Sequence, residues 1–426
     1  MKIEDIYQKF KICSAVSTDT RKLQQDCMYF ALKGDNFDGN KFAQKAFDGG
    51  AKYCVIDAIE AAINPNCILV DDVLTTLQQL ATFHRNAINI PIISLTGSNG
   101  KTTTKELINT VLASTYNVKS TVGNLNNHIG VPLTLLSFSE KLDFGIVEMG
   151  ANHQKEIEFL SGIAQPDYGL ITNFGKAHLE GFGSIEGVVK GKSELYDYLK
   201  AHQKTAFINT DDEKQMIQIG DYANVNKFGT HLDNDCVVKF DSANPYVTII
   251  YDGIKIESQL IGDYNYGNIA VAVAIGTYFD VTSQNIKKAI ESYQPANNRS
   301  EIIEKGSTKI ILDAYNANPT SMLAALQNLK QLKAENKYLF LGDMFELGAD
   351  AEKEHQEIVD VIQRDFETHI YIIGKNFYKT NSKESTHKFS SFEDLKPILK
   401  EVNLNNATVL IKGSRGMALE RILDFI

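Results

Sequence analysis

The segment from Ile90 to Leu112, IPIISLTGSNGKTTTKELINTVL, constrains the fold more than any other stretch of this 426-residue chain. An apolar run predicts a buried strand, two glycines predict a tight loop, and an amphipathic pattern predicts a helix directly after it. The apolar residues that share one face of this helix are Leu107, Ile108, Val111 and Leu112. A glycine loop between a strand and a helix start presents backbone N–H groups to an anion, which the helix dipole also attracts. The segment therefore predicts a phosphate site inside an α/β fold.

The glycine loop is shorter than the common phosphate-binding pattern G-x-x-x-x-G-K-[ST], because only two residues separate Gly97 from Gly100. Lys101 is placed to reach the terminal phosphates of a nucleotide, and the Thr102 hydroxyl is placed to ligate Mg²⁺. The alternative is a chance glycine turn before a helix, but the flanking strand and amphipathic helix favour nucleotide binding. The predicted nucleotide loop comprises Gly97, Ser98, Asn99, Gly100, Lys101, Thr102 and Thr103.

A carboxylate follows the next predicted strand, Phe144 to Val147. Mg²⁺ prefers hard oxygen ligands, usually one or two carboxylates together with water and phosphate. Glu148 would lie at the carboxyl end of a parallel strand, where α/β sheets bind ligands, so we expect it to ligate Mg²⁺. The alternative is a glutamate that caps a turn.

His178 and the lysines Lys190 and Lys192 carry no comparable signal in the sequence pattern. A single histidine is more often a structural hydrogen-bonding group than a ligand. The lysines fit the solvated face of a helix. Periodicity alone therefore selects none of these residues for function.

Apolar segments and glycine-rich turns divide the chain into three α/β domains. Residues 1–88 combine short apolar runs with turns such as KGDNFDGN, and Ala81 to Pro91 is interpreted as a linker. Residues 89–294 alternate strands with helices, which predicts a mostly parallel sheet covered by helices, and include the more polar β segments DCVVKF and YVTIIYDGIKIES. Residues 295–426 contain the strands TKIIL, KYLFL, HIYII and TVLIK, each followed by a helical stretch, which is typical of a small Rossmann-like domain.

Charge and cysteine content narrow the class of protein. The formal net charge of −10 argues against nucleic acid or an anionic membrane as a partner, since both need a basic face, but it leaves small anionic substrates open. Five scattered cysteines without a C-x-x-C pair indicate reduced, buried thiols rather than a zinc site or a disulfide framework. The charged N-terminus lacks a signal core, and no apolar run approaches the ~18 residues of a membrane span. We therefore expect a cytoplasmic protein.

Ordered blocks along the whole chain resemble the Mur ligases of peptidoglycan synthesis, whose superfamily uses this shortened G-x-x-G-K-T loop. In the central region the similar blocks are TGSNGKTTTKE, TVGNLNNHIGVPLTLL, VEMGANH, ITNFGKAHLEGFGS and GKSE. In the C-terminal region they are DAYNANPTSM, LGDMFELG and IKGSRGMALE. The N-terminal segments VSTDTR and YFALKGDNFDGNKF are similar to those that hold the uridine nucleotide end of the family's substrate.

The resemblance implies an enzyme that joins a peptide carboxylate to an incoming amine, using ATP and Mg²⁺ and passing through an acyl phosphate. The C-terminal blocks are most similar to those of the family member that adds D-alanyl-D-alanine to UDP-N-acetylmuramoyl-tripeptide (UDP-MurNAc-tripeptide), so these are the expected substrates. It further implies an N-terminal domain for the UDP end, a central parallel-sheet domain for ATP, and a C-terminal domain that closes on ATP and binds the dipeptide. We expect a monomer.

The resemblance also implies roles for individual residues. The catalytic set would be Lys101, Glu148, His178 and Lys192. Magnesium would be held by Thr102, Glu148 and His178, joined by Lys192 if CO₂ converts its amine to a carbamate. Beyond the loop, the nucleotide would contact Asn265, Asn268, Arg299, Asp313 and Asn316. The uridine end would lie at Ser17, Asp19, Arg21, Lys33, Gly34 and Asn40. The muramoyl peptide would lie at Asn126, Asn127, His128, Asn152 and His153, and the dipeptide at Asn318, Lys412, Ser414 and Arg415.

The chain departs from the family pattern at a few positions. Lys155 stands where the family commonly has glycine, so we expect the backbone there not to be left-handed. Gly191 replaces the usual alanine before Lys192, and Thr20 replaces a serine while keeping the hydroxyl. None of these changes removes a predicted phosphate or metal ligand.

Three other functions remain as alternatives. The nearest is a sister ligase that adds a diamino acid to UDP-MurNAc-dipeptide, but its typical D-N-P-[RN] run is absent from the sequence. A folylpolyglutamate-synthetase-like ligase would lack the NNHIGVPLTLL block. A guanine-nucleotide switch would carry N-K-x-D, which this sequence does not contain.

Overall fold

The computed structural model describes residues 1–295, 298–334 and 336–426, which form an α/β molecule with three main sheets. The predicted fold class is confirmed: a parallel-stranded central sheet is combined with a C-terminal α/β unit. We propose domain boundaries close to two helix ends, giving residues 1–88, 89–294 and 295–426. None of the helices in the described ranges combines the length and the apolar character needed to cross a membrane.

The N-terminal domain is a small parallel sheet covered by helices. Its elements are α1 (Ile3–Phe10), β1 (Val16–Ser17), β2 (Met28–Phe30), β3 (Lys33–Gly34), β4 (Phe37–Asp38), α2 (Ala43–Asp48), β5 (Tyr53–Ile56), β6 (Cys67–Leu69) and α3 (Val73–Ile88). Strands β1, β2, β5 and β6 run parallel in that order, and β3 pairs with β4 as a short hairpin. Buried Ile6 and Leu77 from the helices pack in one core with Phe30 from the sheet.

The central domain is built on a nine-stranded sheet. Its elements are β7 (Ile92–Thr96), α4 (Lys101–Ala113), β8 (Val118–Ser120), α5 (Gly130–Leu136), β9 (Phe144–Glu148), α6 (Glu156–Ala164), β10 (Tyr168–Ile171), α7 (Leu179–Phe182), α8 (Ile185–Ala201), β11 (Thr205–Asn209), α9 (Glu213–Ile219), β12 (Val225–Gly229), β13 (Cys236–Ala243), β14 (Tyr246–Tyr251), β15 (Ile254–Ile261), α10 (Tyr266–Tyr278) and α11 (Ser283–Ser292). The strand order is β15-β14-β13-β12-β11-β10-β7-β9-β8, so β7 lies between β10 and β9. Neighbouring strands from β8 to β13 are parallel, and β13 to β15 continue as antiparallel hairpins. Every residue of β7 is buried, as expected for a parallel strand with helices on both faces.

The C-terminal domain is a second, smaller α/β sheet. Its elements are β16 (Glu301–Lys305), β17 (Thr308–Asp313), α12 (Pro319–Gln331), β18 (Asn336–Gly342), α13 (Ala351–Asp365), β19 (His369–Ile373), α14 (Lys375–Tyr378), β20 (Thr386–Phe389), α15 (Phe392–Leu399) and β21 (Ala407–Lys412). The order is β16-β17-β21-β18-β19-β20, with β16 as an antiparallel edge strand. The four predicted strands are all present, but the last, β21, is followed by 3₁₀ turns (Arg415–Met417 and Leu419–Asp424) rather than an α-helix.

The interpretation of Ala81 to Pro91 as a linker was wrong, because Ala81 to Ile88 form the second half of helix α3. The Asp72 side chain caps the start of the helix, and left-handed Asn89 ends it. The segment looks polar in the sequence, yet Arg85 is only 5% exposed. Its polar groups are satisfied by partners in the central domain, which no local pattern reveals.

Arg85 fastens helix α3 to the central sheet. Its Nε donates to the Ala164 carbonyl at 3.1 Å, and its Nη2 lies 2.7 Å from Asp167 Oδ2. The Asp167 carboxylate also accepts from the Ile92 N–H at 3.1 Å and from Lys204 Nζ at 2.6 Å. One buried guanidinium thus links the last turns of α3 to the start of β7.

Replacing Arg85 with methionine should lower the free energy of unfolding by about 3 kcal/mol, because the Asp167 carboxylate and nearby carbonyls lose their buried donor. Lys204→Met is the matched control: it removes the more exposed cation from the same carboxylate and should cost less than about 1 kcal/mol. Urea denaturation followed by circular dichroism measures both. Equal losses from the two variants would contradict the central role of Arg85.

Candidate active site

A cavity of about 1050 Å³ lies where the carboxyl ends of the central and C-terminal sheets meet. The central sheet contributes the loops after β7, β9 and β10, and the C-terminal sheet contributes the loops after β17, β18 and β21. Open parallel sheets bind ligands at this end, beside the strand where the order reverses. Here β8 and β9 lie on one side of β7, and β10 begins the other side.

The register of the central sheet brings the predicted ligands together. Leu95 of β7 pairs with Glu148 of β9, and Thr96 pairs with Ile171 of β10. Gly97 therefore follows the residue of β7 that is level with Glu148 by two positions, at the same end of the sheet. The sequence predicted each of these elements, and parallel pairing places them on one edge.

The phosphate loop needs glycine at positions 97 and 100 for steric reasons. Gly97 has φ +145°, and a Cβ on it would lie 2.0 Å from Thr172 Oγ1. Gly100 has φ +78°, and a Cβ on it would lie 2.5 Å from Asn268 Oδ1. The loop is consequently packed tightly against Thr172 and Asn268.

The start of helix α4 is suited to bind an anion. Gly100 precedes the helix and no side chain caps its first N–H groups, which leaves them for a ligand. Lys101 Nζ folds back to donate to the Gly97 carbonyl at 2.7 Å. Burial lowers the pKa of Lys101. The negative charge of a phosphate beside it would raise this pKa again and favour the charged ammonium. These features fit the phosphates of ATP.

The Glu148 carboxylate has one bonded and one free oxygen. Oε1 accepts from Asn126 Nδ2 at 2.7 Å, while Oε2 is buried without a hydrogen-bond partner among the described residues. The Thr121 hydroxyl accepts from the Glu148 N–H at 3.0 Å and fixes the strand end. A buried, unpaired carboxylate oxygen beside a phosphate loop fits a Mg²⁺ ligand.

The remaining metal candidates do not form a preassembled cluster. Within the described ranges, no group of three or more His, Cys, Asp or Glu side chains is arranged to hold a metal ion. Mg²⁺ usually keeps several waters and takes oxygens from substrate phosphates. Glu148 and buried Thr102 therefore fit a site that is completed by a nucleotide rather than by protein alone.

His178 lines the cavity and is held by the C-terminal domain. Its Nδ1 lies 2.6 Å from Glu346 Oε2, which leaves the Nε2 side of the ring for a ligand. The imidazole beside it lowers the pKa of the Glu346 carboxyl. His178 itself is left-handed, with φ +53°, and strained non-glycine residues of this kind concentrate at functional sites.

Lys192 is fully buried behind the cavity wall and is not among the residues that line the cavity. Its Nζ donates to the Ala151 carbonyl at 3.0 Å and lies 5.0 Å from the centre of the Phe182 ring. Burial lowers the pKa of Lys192 well below its usual range. The neighbouring Lys190 is exposed, so the two lysines that sequence pattern could not separate have opposite environments.

The expectation that the backbone at Lys155 is not left-handed was wrong, since Lys155 has φ +73°. Its N–H donates to Glu194 Oε1 at 2.6 Å, and the other oxygen of Glu194 accepts from the Glu158 N–H at 3.0 Å. This buried carboxylate caps the start of α6 and offsets the cost of a left-handed lysine. Lys155 therefore adopts the left-handed backbone conformation that glycine adopts easily.

Several predicted nucleotide and dipeptide residues form hydrogen bonds or ion pairs with other predicted site residues. Asn268 Nδ2 donates to Asn265 Oδ1 at 2.8 Å. Lys412 is 1% exposed and its Nζ lies 2.5 Å from Asp313 Oδ2, so this carboxylate neutralises its buried charge. Asn318 Nδ2 donates to Asn99 Oδ1 at 2.7 Å, which joins the C-terminal domain to the phosphate loop.

The six residues predicted for the uridine end lie outside this cavity, in the N-terminal domain. Asp19 and Arg21 form an exposed ion pair at 2.8 Å. Lys33 Nζ and Asn40 Nδ2 both contact Asp57 Oδ1 at 2.8 Å. The others in this set are Ser17 and Gly34.

Most of the other predicted site residues do line the cavity. They are Ser98, Asn99, Gly100, Lys101, Thr102, Thr103, Asn126, Asn127, His128, Glu148, Asn152, His178, Asn265, Asn268, Arg299, Asp313, Asn316, Asn318, Lys412, Ser414 and Arg415. Gly97, His153 and Lys192 do not.

Sequence reasoning missed several lining residues, above all Tyr315 and Glu346. The guanidinium of Arg299 lies 3.5 Å from the Tyr315 ring centre, and that of Arg415 lies 4.9 Å from it. Tyr315 stands inside the DAYNANPTSM block and Glu346 inside LGDMFELG, so the blocks marked the right loops. Nothing local to either residue indicates which side chain faces the cavity.

Comparison with known proteins gives one consistent result. The chain matches the family models of the Mur ligase middle domain over residues 95–276 and of the Mur ligase, glutamate ligase domain over residues 298–415. It is 36% identical to the UDP-N-acetylmuramoyl-tripeptide–D-alanyl-D-alanine ligase of Bacillus subtilis, over 97% of this chain and 93% of that protein. The protein of the same name from Escherichia coli is 31% identical, over 96% and 92%. The fold is similar to a crystal structure of MurF from Acinetobacter baumannii, with a TM-score of 0.87, 27% identity, and coverage of 99% of this chain and 98% of that one.

Lys155→Gly should raise the free energy of unfolding by about 1 kcal/mol relative to Lys155→Ala, because alanine keeps the Cβ that disfavours a left-handed backbone. Both variants lose the exposed contact of Lys155 with Glu158, so the comparison isolates backbone strain. Urea denaturation of the two proteins measures the difference. Equal stability, or a more stable alanine variant, would contradict strain at this position.

Proposed function

The chain belongs to the Mur ligase family, and we propose that it joins D-alanyl-D-alanine to UDP-MurNAc-tripeptide in an ATP-dependent reaction. The products are the UDP-MurNAc-pentapeptide precursor of peptidoglycan, ADP and phosphate. The observation that carries the proposal is one cavity in which a phosphate loop and a buried carboxylate with a free oxygen meet the loops of a second α/β domain. Full-length similarity to curated ligases of this name supports it.

The central domain would bind ATP and position it for phosphoryl transfer. ATP supplies the phosphoryl group that converts the tripeptide carboxylate to an acyl phosphate, and Mg²⁺ neutralises the phosphate charge. The amides at the start of α4 and the Lys101 ammonium would hold the terminal phosphates. Thr102 and Glu148 would hold Mg²⁺ through their oxygens, and His178 through its free ring nitrogen. The work of these residues is positioning and charge neutralisation, as in other phosphoryl transfers.

The C-terminal domain would bind the incoming dipeptide, whose amine attacks the acyl phosphate. The incoming dipeptide carries an ammonium and a carboxylate, which need groups of opposite charge. Glu346 and Arg415 both line the cavity from this domain and supply those charges. Ser414 precedes Arg415 and positions the loop that carries Glu346, since its hydroxyl accepts from the Phe345 N–H at 2.8 Å.

The rest of the substrate and the setting of the reaction belong to the same proposal. The polar groups around Asp57 in the N-terminal domain, among them exposed Lys33, would receive the uridine end of the long UDP substrate. Addition of a diamino acid to UDP-MurNAc-dipeptide is not favoured, because the full-length relatives are dipeptide ligases. We propose a cytoplasmic monomer, since one chain supplies both the phosphate loop and the dipeptide-side loops.

Phosphate release in the presence of UDP-MurNAc-tripeptide, ATP and Mg²⁺ should depend on D-alanyl-D-alanine. Free diaminopimelate or lysine in place of the dipeptide should give no turnover above background. Recognition of a diamino acid needs a site for the charged end of its side chain, and the D-N-P-[RN] run typical of such ligases is absent from this sequence. A coupled phosphate assay measures this directly. Turnover restricted to a free diamino acid and UDP-MurNAc-dipeptide would overturn the assignment.

Lys192→Ala should lower turnover by about 100-fold or more if a carbamate on Lys192 supplies negative charge to the metal site. Millimolar formate or acetate should restore part of the activity, because a small carboxylate can occupy the space of the carbamate. Lys190→Ala is the control on the same helix and should keep full activity, with no response to carboxylates. Loss of activity in Lys192→Ala without any rescue would count against the carbamate.

A further inference from the structure

An ion pair outside the cavity joins the central and C-terminal domains. Lys176, in the loop after β10, places its Nζ 2.6 Å from Glu354 Oε1 on helix α13. The Glu354 side chain is 5% exposed and the Lys176 side chain is 41% exposed. A second carboxylate, Glu357 on the next turn of α13, lies 3.6 Å from the same ammonium.

The loop that carries Lys176 also holds the phosphate loop. The Ser98 hydroxyl donates to the Gly175 carbonyl at 2.9 Å, and the Asn99 N–H donates to Asn173 Oδ1 at 3.0 Å. The Lys176 N–H in turn donates to Thr320 Oγ1 of the C-terminal domain at 2.9 Å. One short loop therefore touches the nucleotide loop on one side and the C-terminal domain on the other.

The burial of Glu354 makes this pair sensitive to domain position. Among the described residues, Lys176 is the lysine or arginine that pairs with the Glu354 carboxylate. A buried carboxylate without its cation is strongly unfavourable, whereas the same carboxylate in water costs nothing. The pair therefore contributes only when the C-terminal domain is docked against the loop after β10.

We propose that Lys176 and Glu354 are positioning residues that hold the C-terminal domain on the phosphate-loop face for the reaction. This inference rests on the proposed function, in which ATP and the dipeptide must enter between these domains before the domains close. Ligands that bind across the docked domains are bound more weakly when the docked state is less populated. Removing the cation should thus weaken nucleotide binding without changing any group that touches the nucleotide.

A set of four variants tests the pair, with the dissociation constant for Mg-ADP and the KM for ATP as readouts. Lys176→Met should raise both by about tenfold, with kcat at saturation within about twofold of wild type, because it leaves Glu354 buried without its cation. Adding Glu354→Gln to Lys176→Met should bring both constants back to within about threefold of wild type, because no unpaired charge is then buried. Glu354→Gln alone should have a small effect, since glutamine still accepts from Lys176.

Lys353→Met is the matched control, because Lys353 lies on the same helix as Glu354 and is 71% exposed, and its ion pair among the described residues is with Glu357 of its own helix at 3.9 Å. It should leave both constants unchanged. Small-angle scattering with Mg-ADP should show a larger radius of gyration for Lys176→Met than for wild type and for the double variant.

Unchanged constants in Lys176→Met, or a double variant as impaired as Lys176→Met, would overturn the proposal. Mg-ADP affinity and scattering need no acceptor substrate. A wild-type protein without dipeptide-dependent turnover would therefore refute the proposed function while leaving this test of the ion pair intact.

Discussion

The parallel pairing of β7 between β9 and β10 is the constraint on which the site depends. It sets Gly97, Glu148 and Thr172 at one edge of the sheet, so that a loop, a carboxylate and a hydroxyl share this edge. The contact of Gly97 with Thr172 is close enough to exclude any side chain. A shift of one residue in the β7–β9 pairing would turn Glu148 to the opposite face and separate it from the phosphate loop.

The C-terminal domain completes this edge rather than adding a separate site. Asn318 bonds to Asn99 of the phosphate loop, and Glu346 contacts His178. Each of these contacts joins a residue at the carboxyl end of one sheet to a residue at the carboxyl end of the other. In a cavity built in this way, the central domain provides the nucleotide side and the C-terminal domain provides the acceptor side. Docking of the two domains can then exclude water from an activated carboxylate.

The parts of the fold and site that could be predicted are those whose signal is local. The β7–loop–α4 unit was predicted from one continuous segment, and Glu148 from its place at a strand end. Ala81 to Ile88 was misread because the partners that satisfy Arg85 come from residues far along the chain. Lys155 was misread for the same reason, since the carboxylate of Glu194 that holds its left-handed backbone lies on another helix. Glu346 was missed because its role depends on a contact between domains.

Two fully buried lysines show why burial alone does not define a role. Lys412 has the Asp313 carboxylate 2.5 Å from its ammonium, so its buried charge is neutralised. Lys192 has a carbonyl as its hydrogen-bond acceptor, and burial lowers its pKa well below the usual range. A buried ammonium without a carboxylate is unstable, and the amine can lose its proton to become the neutral form that reacts with CO₂. The environment that makes Lys192 costly as a cation therefore favours the neutral amine that CO₂ can modify, and this supports the proposal that Lys192 acts at the metal site only after modification.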